Sequence, residues 1–185
     1  DYQRVIVDQA QAYFEEPISG VDTLYTCRKW CGVSDGAFLY TDNPLREKFP
    51  QDVSFNRMRF LLGRFERPAN EFYAEYKDNN RLFAVTPIKQ MSKLTQNLLH
   101  GIDYKAVAQR RTENFKYLHE RLGSENCLKL RTGNFMYPFM IENGGALRNR
   151  LQQEKIYIPT LWPSVFEITV LNDLECRMAE NILPL

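Results

Sequence analysis

Lys29 is the side chain in this 185-residue sequence whose type and position point most directly to chemistry. It follows Arg28 and precedes Gly32, Asp35 and Gly36 in the stretch 22–42, DTLYTCRKWCGVSDGAFLYTD. A lysine just past the end of a buried strand is half shielded from water. Desolvation and an adjacent cation, here Arg28, both disfavour its ammonium form. A lysine depressed in this way is a neutral amine at working pH, the state that Schiff-base chemistry requires. The alternative is a surface hairpin on which Arg28 and Lys29 are simply solvated. Asp8 is the second group of interest, because a carboxylate at a strand end can hold a cation such as a protonated pyridine nitrogen. It can equally close an Asx-turn or cap the following DQAQAYF segment.

The elements that must position these groups are legible on either side of them. Thr23-Leu24-Tyr25-Thr26 and Ala37-Phe38-Leu39-Tyr40-Thr41 are short runs rich in aromatic and β-branched residues and read as strands. Residues 4–8, Arg-Val-Ile-Val-Asp, form a continuous apolar run that ends in an acid. Such a run reads as a strand buried on both faces of a parallel sheet. Ligands in open α/β sheets bind beyond the carboxyl ends of the strands, where Asp8 and then Gln11 fall.

Asp8-x-Ala10-Gln11, Thr26-x-x-Lys29 and Gly32-x-x-Asp35-Gly36, in that order, resemble the later active-site half of fold type I pyridoxal-phosphate aminotransferases. The likeness is to the DegT-like group, many of which aminate nucleotide-linked sugars. It implies that Lys29 forms the Schiff base with pyridoxal 5'-phosphate. It implies that Asp8 salt-bridges the pyridine nitrogen, that Gln11 contacts the phenolic oxygen and that Thr26 touches the phosphate. The implied activity is amino transfer between a small-molecule amino donor and a keto acceptor, such as a keto sugar or nucleotide sugar, in a homodimer. Two residues, Cys27 and Arg28, separate Thr26 from Lys29, where many sugar aminotransferases have three. No glycine-rich or Ser/Thr-rich phosphate cradle precedes Asp8. The expectation is therefore a fragment of a longer enzyme that lacks the N-terminal part.

Composition narrows the other classes. Lys and Arg number 24 and Asp and Glu 23, a net charge of +1, so there is no basic footprint for nucleic acid. The longest apolar runs are too short for a membrane span. Cys27, Cys31, Cys127 and Cys176 do not form a secreted-type framework. With only His100 and His119 in the chain, a zinc module on Cys27 and Cys31 lacks its further ligands. The cysteines read as the reduced thiols of a cytoplasmic protein.

Downstream, Asp42-Asn43-Pro44 predicts a helix start near Pro44. Residues 52–66 approximate a helical stripe through Val53, Phe55, Met58, Phe60 to Leu62 and Phe65, with Arg57, Arg59, Arg64 and Arg67 on the other face. That face is a solvated surface or a phosphate-facing one. Residues 69–83 predict a helix with Phe72, Tyr73, Tyr76, Leu82 and Phe83 inward, interrupted at Asp78-Asn79-Asn80. Asn79 and Asn80 are also candidates for a phosphate contact. Ser92 is an N-cap for a short helix closed by Gly101, and Asp103 for a long one over 104–122 closed by Gly123. His119 reads as a partly exposed helix histidine. Strands are expected at 128–131, at 136–141 with Pro138 at an edge or bulge, and at 156–158. A helix over 144–155 uses Leu147 and Leu151, residues 166–170 are strand or loop, and Asn172 or Asp173 caps a last helix over 174–182.

The expected fold is α/β: a partial large-domain sheet of a fold type I enzyme, a helical middle and a small α+β C-terminal domain. The expected boundaries are 1–102 for the cofactor-binding part, 103–123 for a linker helix and 124–185 for the small domain. A chain of this composition could alternatively be a catalytically incomplete fragment that serves as a dimerisation or binding module.

Overall fold

A computed structural model describes residues 4–170 and 173–185. The chain is a mixture of helices and two small sheets, and it divides into two units, Asp1–Asp103 and Tyr104–Leu185. Among the described residues no helix is long and apolar enough to cross a membrane.

In the first unit β1 (Ile6–Asp8) runs parallel to β2 (Asp22–Thr26), which pairs antiparallel with β3 (Ala37–Tyr40). The apolar run at 4–8 does yield a strand in parallel pairing. It is not buried on both faces, however: Val5 is 51 % and Ile6 65 % exposed. Among the described residues β2 is the only neighbour of β1, so β1 is an edge strand. Alternation along β2 sends Thr23 and Tyr25 into the core. Leu24 faces the open side, with Leu39 opposite it on β3. The connector between β1 and β2 is held down by side chains of the later elements. Tyr25 Oη donates to the Glu15 carbonyl (2.8 Å), Trp30 Nε1 donates to the Ala10 carbonyl (2.9 Å), and the Trp30 ring packs on Tyr13 and Phe14.

No helix starts at Pro44. Thr41 Oγ1 accepts the Asn43 amide and donates to its carbonyl, so a local side-chain turn takes the backbone groups that a helix would need. The stripe over 52–66 is likewise not one helix. It breaks into a 3₁₀ turn Phe55–Arg57, the short α1 (Arg59–Leu62) and a second 3₁₀ turn Gly63–Phe65. Ser54 does not cap it, because its Oγ is hydrogen-bonded to Ser92 Oγ at 2.6 Å. Of the stripe only Met58 and Phe60 are buried, while Val53, Phe55, Leu62 and Phe65 are exposed. By contrast α2 (Tyr73–Val85) runs uninterrupted through Asp78-Asn79-Asn80. Asn79 is buried and donates to the Ser34 carbonyl (2.9 Å), and Asn80 accepts from Arg28 (2.6 Å). Side chains engaged in these tertiary bonds no longer compete for the helix backbone. Phe72 is the buried aromatic here, whereas Tyr73, Tyr76 and Phe83 are exposed. The cap read at Ser92 is present: its Oγ accepts the Thr95 amide at the start of α3 (Lys93–His100), and Gly101 ends the helix.

The second unit opens with α4 (Tyr104–Leu122), over its expected span. Phe115 on α4 joins Tyr137, Phe139 and Leu183 in the core. His119 is partly buried and shares a 3.2 Å hydrogen bond with Tyr137 Oη. The expected strand at 128–131 does not form. The Asn126 side chain replaces it, its Oδ1 accepting the Leu128 and Met140 amides (3.0 Å each). The strand expected at 136–141 is the shorter β4 (Pro138–Met140). It pairs antiparallel with β5 (Ile182–Pro184), which no sequence feature announced. Pro138 lies opposite Pro184. Neither has an N–H to donate, a loss tolerable in a sheet whose two strands are both edges. Between β4 and β5 lie α5 (Gly144–Gln153), the one-turn α6 (Val165–Ile168) and α7 (Leu174–Asn181). Residues 166–170 are thus partly helical rather than strand. Residues 156–158 are not a strand, because the Ile156 amide bonds back to the Leu151 carbonyl to terminate α5. Asp173 is the N-terminal residue before α7, and Asn172 lies outside the described residues. Gly144 is required by close approach: a Cβ there would run into the Asn181 backbone.

Candidate functional site

Parallel pairing of β1 and β2 brings two of the sequence-predicted residues to one end of the sheet. Asp8 is level with Leu24, two residues before Thr26, so Asp8 and Thr26 stand at the carboxyl ends of neighbouring strands. Residues of alternate parity share a face, which puts Asp8, Leu24 and Thr26 on the open side of the sheet. Gln11 is half-buried in the turn that leaves β1. Asp8 itself is exposed, and its Oδ1 accepts the Ala10 amide at 2.8 Å, which closes an Asx-turn. Its other oxygen is open to a ligand.

Past Thr26 the chain makes a helical turn, with the Trp30 and Cys31 amides bonding to the Cys27 carbonyl (3.0 and 2.8 Å). Helical spacing sends residues 27, 30 and 31 inward and residue 29 outward. Cys27 and Trp30 are accordingly buried, and Lys29 is exposed rather than half shielded. Lys29 Nζ makes no hydrogen bond or ion pair among the described residues. The desolvation expected for Lys29 falls on Arg28 instead. Arg28 is half-buried, and burial, with a smaller push from Arg57, lowers its pKa from the usual value.

Arg28 opens onto a cavity of about 320 Å³ that the sequence did not reveal. Thr26, Arg28, Asp52, Arg57, Phe83 and Lys89 are among the residues that line it. The Arg28 guanidinium lies over the Phe83 ring, 4.2 Å from its centroid, and donates to Asn80 Oδ1. Asp52 is the counter-ion of Arg57, to which it is directly hydrogen-bonded, and of Lys89 (3.4 Å). Burial pushes the Asp52 carboxyl up. The Arg57 hydrogen bond, the Val53 amide and Lys89 outweigh that and hold it below the usual range. The signal that could have pointed here was the asparagine pair in the middle of α2, since asparagine in a helix interior is unfavourable unless its side chain is used elsewhere.

Asp35 ties the turn to α3. Asp35, 2 % exposed, accepts the Ser92 amide (2.7 Å), the Ser92 hydroxyl (3.0 Å) and the Thr95 hydroxyl at the N-terminus of α3. Gly36 has φ +107°, a conformation that suits glycine, and a Cβ there would crowd Met91 and Thr95. The Gly32-x-x-Asp35-Gly36 pattern therefore ties the Lys29 turn to α3.

Cys27 is not a nucleophile in this setting. Burial, aided by Cys31 and opposed by a Tyr13 hydrogen bond, pushes its thiol up to about 12 from 9.0. The folded chain then keeps a proton that the unfolded chain loses. The stabilisation is complete below pH 9 and is lost as pH rises towards 12, at roughly 1.4 kcal/mol per pH unit. Denaturation midpoints measured across that range should fall in the native chain and fall less steeply in Cys27→Ala. Among the described residues no cluster of three or more His, Cys, Asp or Glu is arranged to hold a metal.

No protein-family profile, no curated protein and no solved structure matches this chain.

Proposed function

We propose that the chain carries the cofactor lysine of a pyridoxal-phosphate-dependent transferase of the aminotransferase type, with Lys29 as the residue that bonds the cofactor. The observation that carries this reading is the strand-end arrangement. A carboxylate (Asp8) and a hydroxyl (Thr26) stand at the carboxyl ends of two parallel strands, with an unpaired amine (Lys29) three residues beyond the second. That donor set fits the group: an acid for the ring nitrogen, a hydroxyl for the phosphate and an amine for the carbonyl carbon. Pyridoxal phosphate, when bound, supplies an electron-withdrawing ring. Asp8 would keep a proton on the ring nitrogen through its free carboxylate oxygen, and Gln11 would face the phenolic oxygen. Thr26 would donate to the phosphate. Lys29 Nζ, once released by an incoming amino donor, would accept and return a proton as general base. A keto compound such as a keto sugar is the acceptor that the sequence likeness suggests.

Pyridoxal phosphate added to the chain, reduced with borohydride and mapped by mass spectrometry should give one adduct, on Lys29, and Lys29→Ala should lose it. Scattered labelling of surface lysines, unchanged in Lys29→Ala, removes the reading. A second reading, a dimerisation module, is favoured by the open side of the first sheet, where Ile6, Leu24 and Leu39 are all at least 39 % exposed. A dimeric mass in solution with no adduct would select it.

A further inference from the structure

We propose that the cavity between the Lys29 turn and α2 is a binding site for a small carboxylate with a compact apolar body, seated on the Arg28 guanidinium. Arg28, Arg57 and Lys89 line the cavity together with two carboxylates, Asp35 and Asp52. Asp52 is taken by Arg57 and Lys89. Asp35 is turned to the Ser92 amide and to the Ser92 and Thr95 hydroxyls. Arg28 is left with an amide oxygen and an aromatic face; Asp35 favours its charge only from beyond ion-pair distance, and among the described residues no carboxylate stands within that distance of it. A half-buried guanidinium without an anion is costly, and an incoming anion relieves that cost.

Geometry narrows the anion. Stacking on Phe83 and the bond to Asn80 fix the guanidinium plane, so its remaining N–H groups form a preset fork that matches two oxygens of one group. The lining holds one more cation than carboxylates, which a monoanion closes and a dianion would overshoot. The rest of the lining includes Leu82, Ile88 and Met91, which suits an apolar body behind the charged head. The volume, about 320 Å³, is that of a small-molecule site. Of the residues assigned to the cofactor only Thr26 lines the cavity, while Asp8, Gln11 and Lys29 do not, and the site rests on Arg28.

The test is a titration of the full chain at low salt, followed by amide NMR, with 4-methylpentanoate, its neutral amide 4-methylpentanamide, and inorganic phosphate. The carboxylate should give saturable shifts at residues 26–37 and 82–91, and the neutral amide should not. Arg28→Gln should weaken the carboxylate by about ten- to a hundredfold, the range for a charge-assisted hydrogen bond, while Lys29→Ala should leave it unchanged. Should Arg28→Gln fail to fold, the carboxylate-against-amide comparison on the native chain decides alone. Equal binding of acid and amide, no saturable shift, or full affinity in a folded Arg28→Gln overturns the site. Tighter binding of phosphate than of carboxylate overturns the assignment of the ligand.

Discussion

Asp35→Ala should destabilise the first unit by about 3–5 kcal/mol, the cost of stranding buried donors around a lost carboxylate. The side chain is 2 % exposed and accepts one amide and two hydroxyls, all from Ser92 and Thr95. Alanine removes every acceptor and leaves those donors in a dry setting. It also removes negative charge from the N-terminus of α3, where the helix dipole favours it. Asp35→Asn keeps one acceptor oxygen and should cost less, about 1.5–3 kcal/mol. Chemical denaturation followed by Trp30 fluorescence in a Trp162→Phe background reads this unit. Equal midpoints for Asp35→Ala and its parent would mean that the three hydrogen bonds hold nothing together.

Tyr137→Ala should remove a similar amount, about 3–5 kcal/mol, from the second unit. Tyr137 is 1 % exposed and packs edge-on to Phe115 with ring centroids 5.1 Å apart. Its hydroxyl meets His119 Nδ1 at 3.2 Å and accepts from Asn126 Nδ2 at 3.3 Å. Packing and hydrogen bonding separate in Tyr137→Phe, which keeps the ring and should cost only about 1 kcal/mol. If phenylalanine proves as costly as alanine on denaturant titration, the hydroxyl network rather than the ring holds this core.

What could be read in advance followed local rules. The Ser92 cap, the span of α4 and the two strands around the Lys29 turn each depend on residues within a few positions of one another, and each is present. The misreadings have long-range causes. Residues 52–66 carry a helical stripe, but Ser54 is drawn to Ser92 and the helix loses its start. Asn79 and Asn80 look like breakers until Ser34 and Arg28 occupy them. β5 exists because β4 offers it an edge, which a three-residue run cannot announce. The same limit governs the site. Asp8, Gln11, Thr26 and Lys29 could be picked out in one dimension, but the turn geometry that exposes Lys29 and half-buries Arg28 could not. The cavity before Arg28 is assembled from segments some 25 to 60 residues apart.

The Asp35 anchor also changes how the chain breathes. The first turn of a helix ordinarily frays at almost no cost, and its amides exchange with solvent early. At α3 the Ser92 amide is held by a residue 57 positions away in sequence. Its proton can leave only when the turn carrying Asp35 and Gly36 detaches as well. Slow exchange at Ser92 would therefore report the opening of the Lys29 turn, and a ligand that clamps that turn would lengthen the lifetime of a proton it never touches.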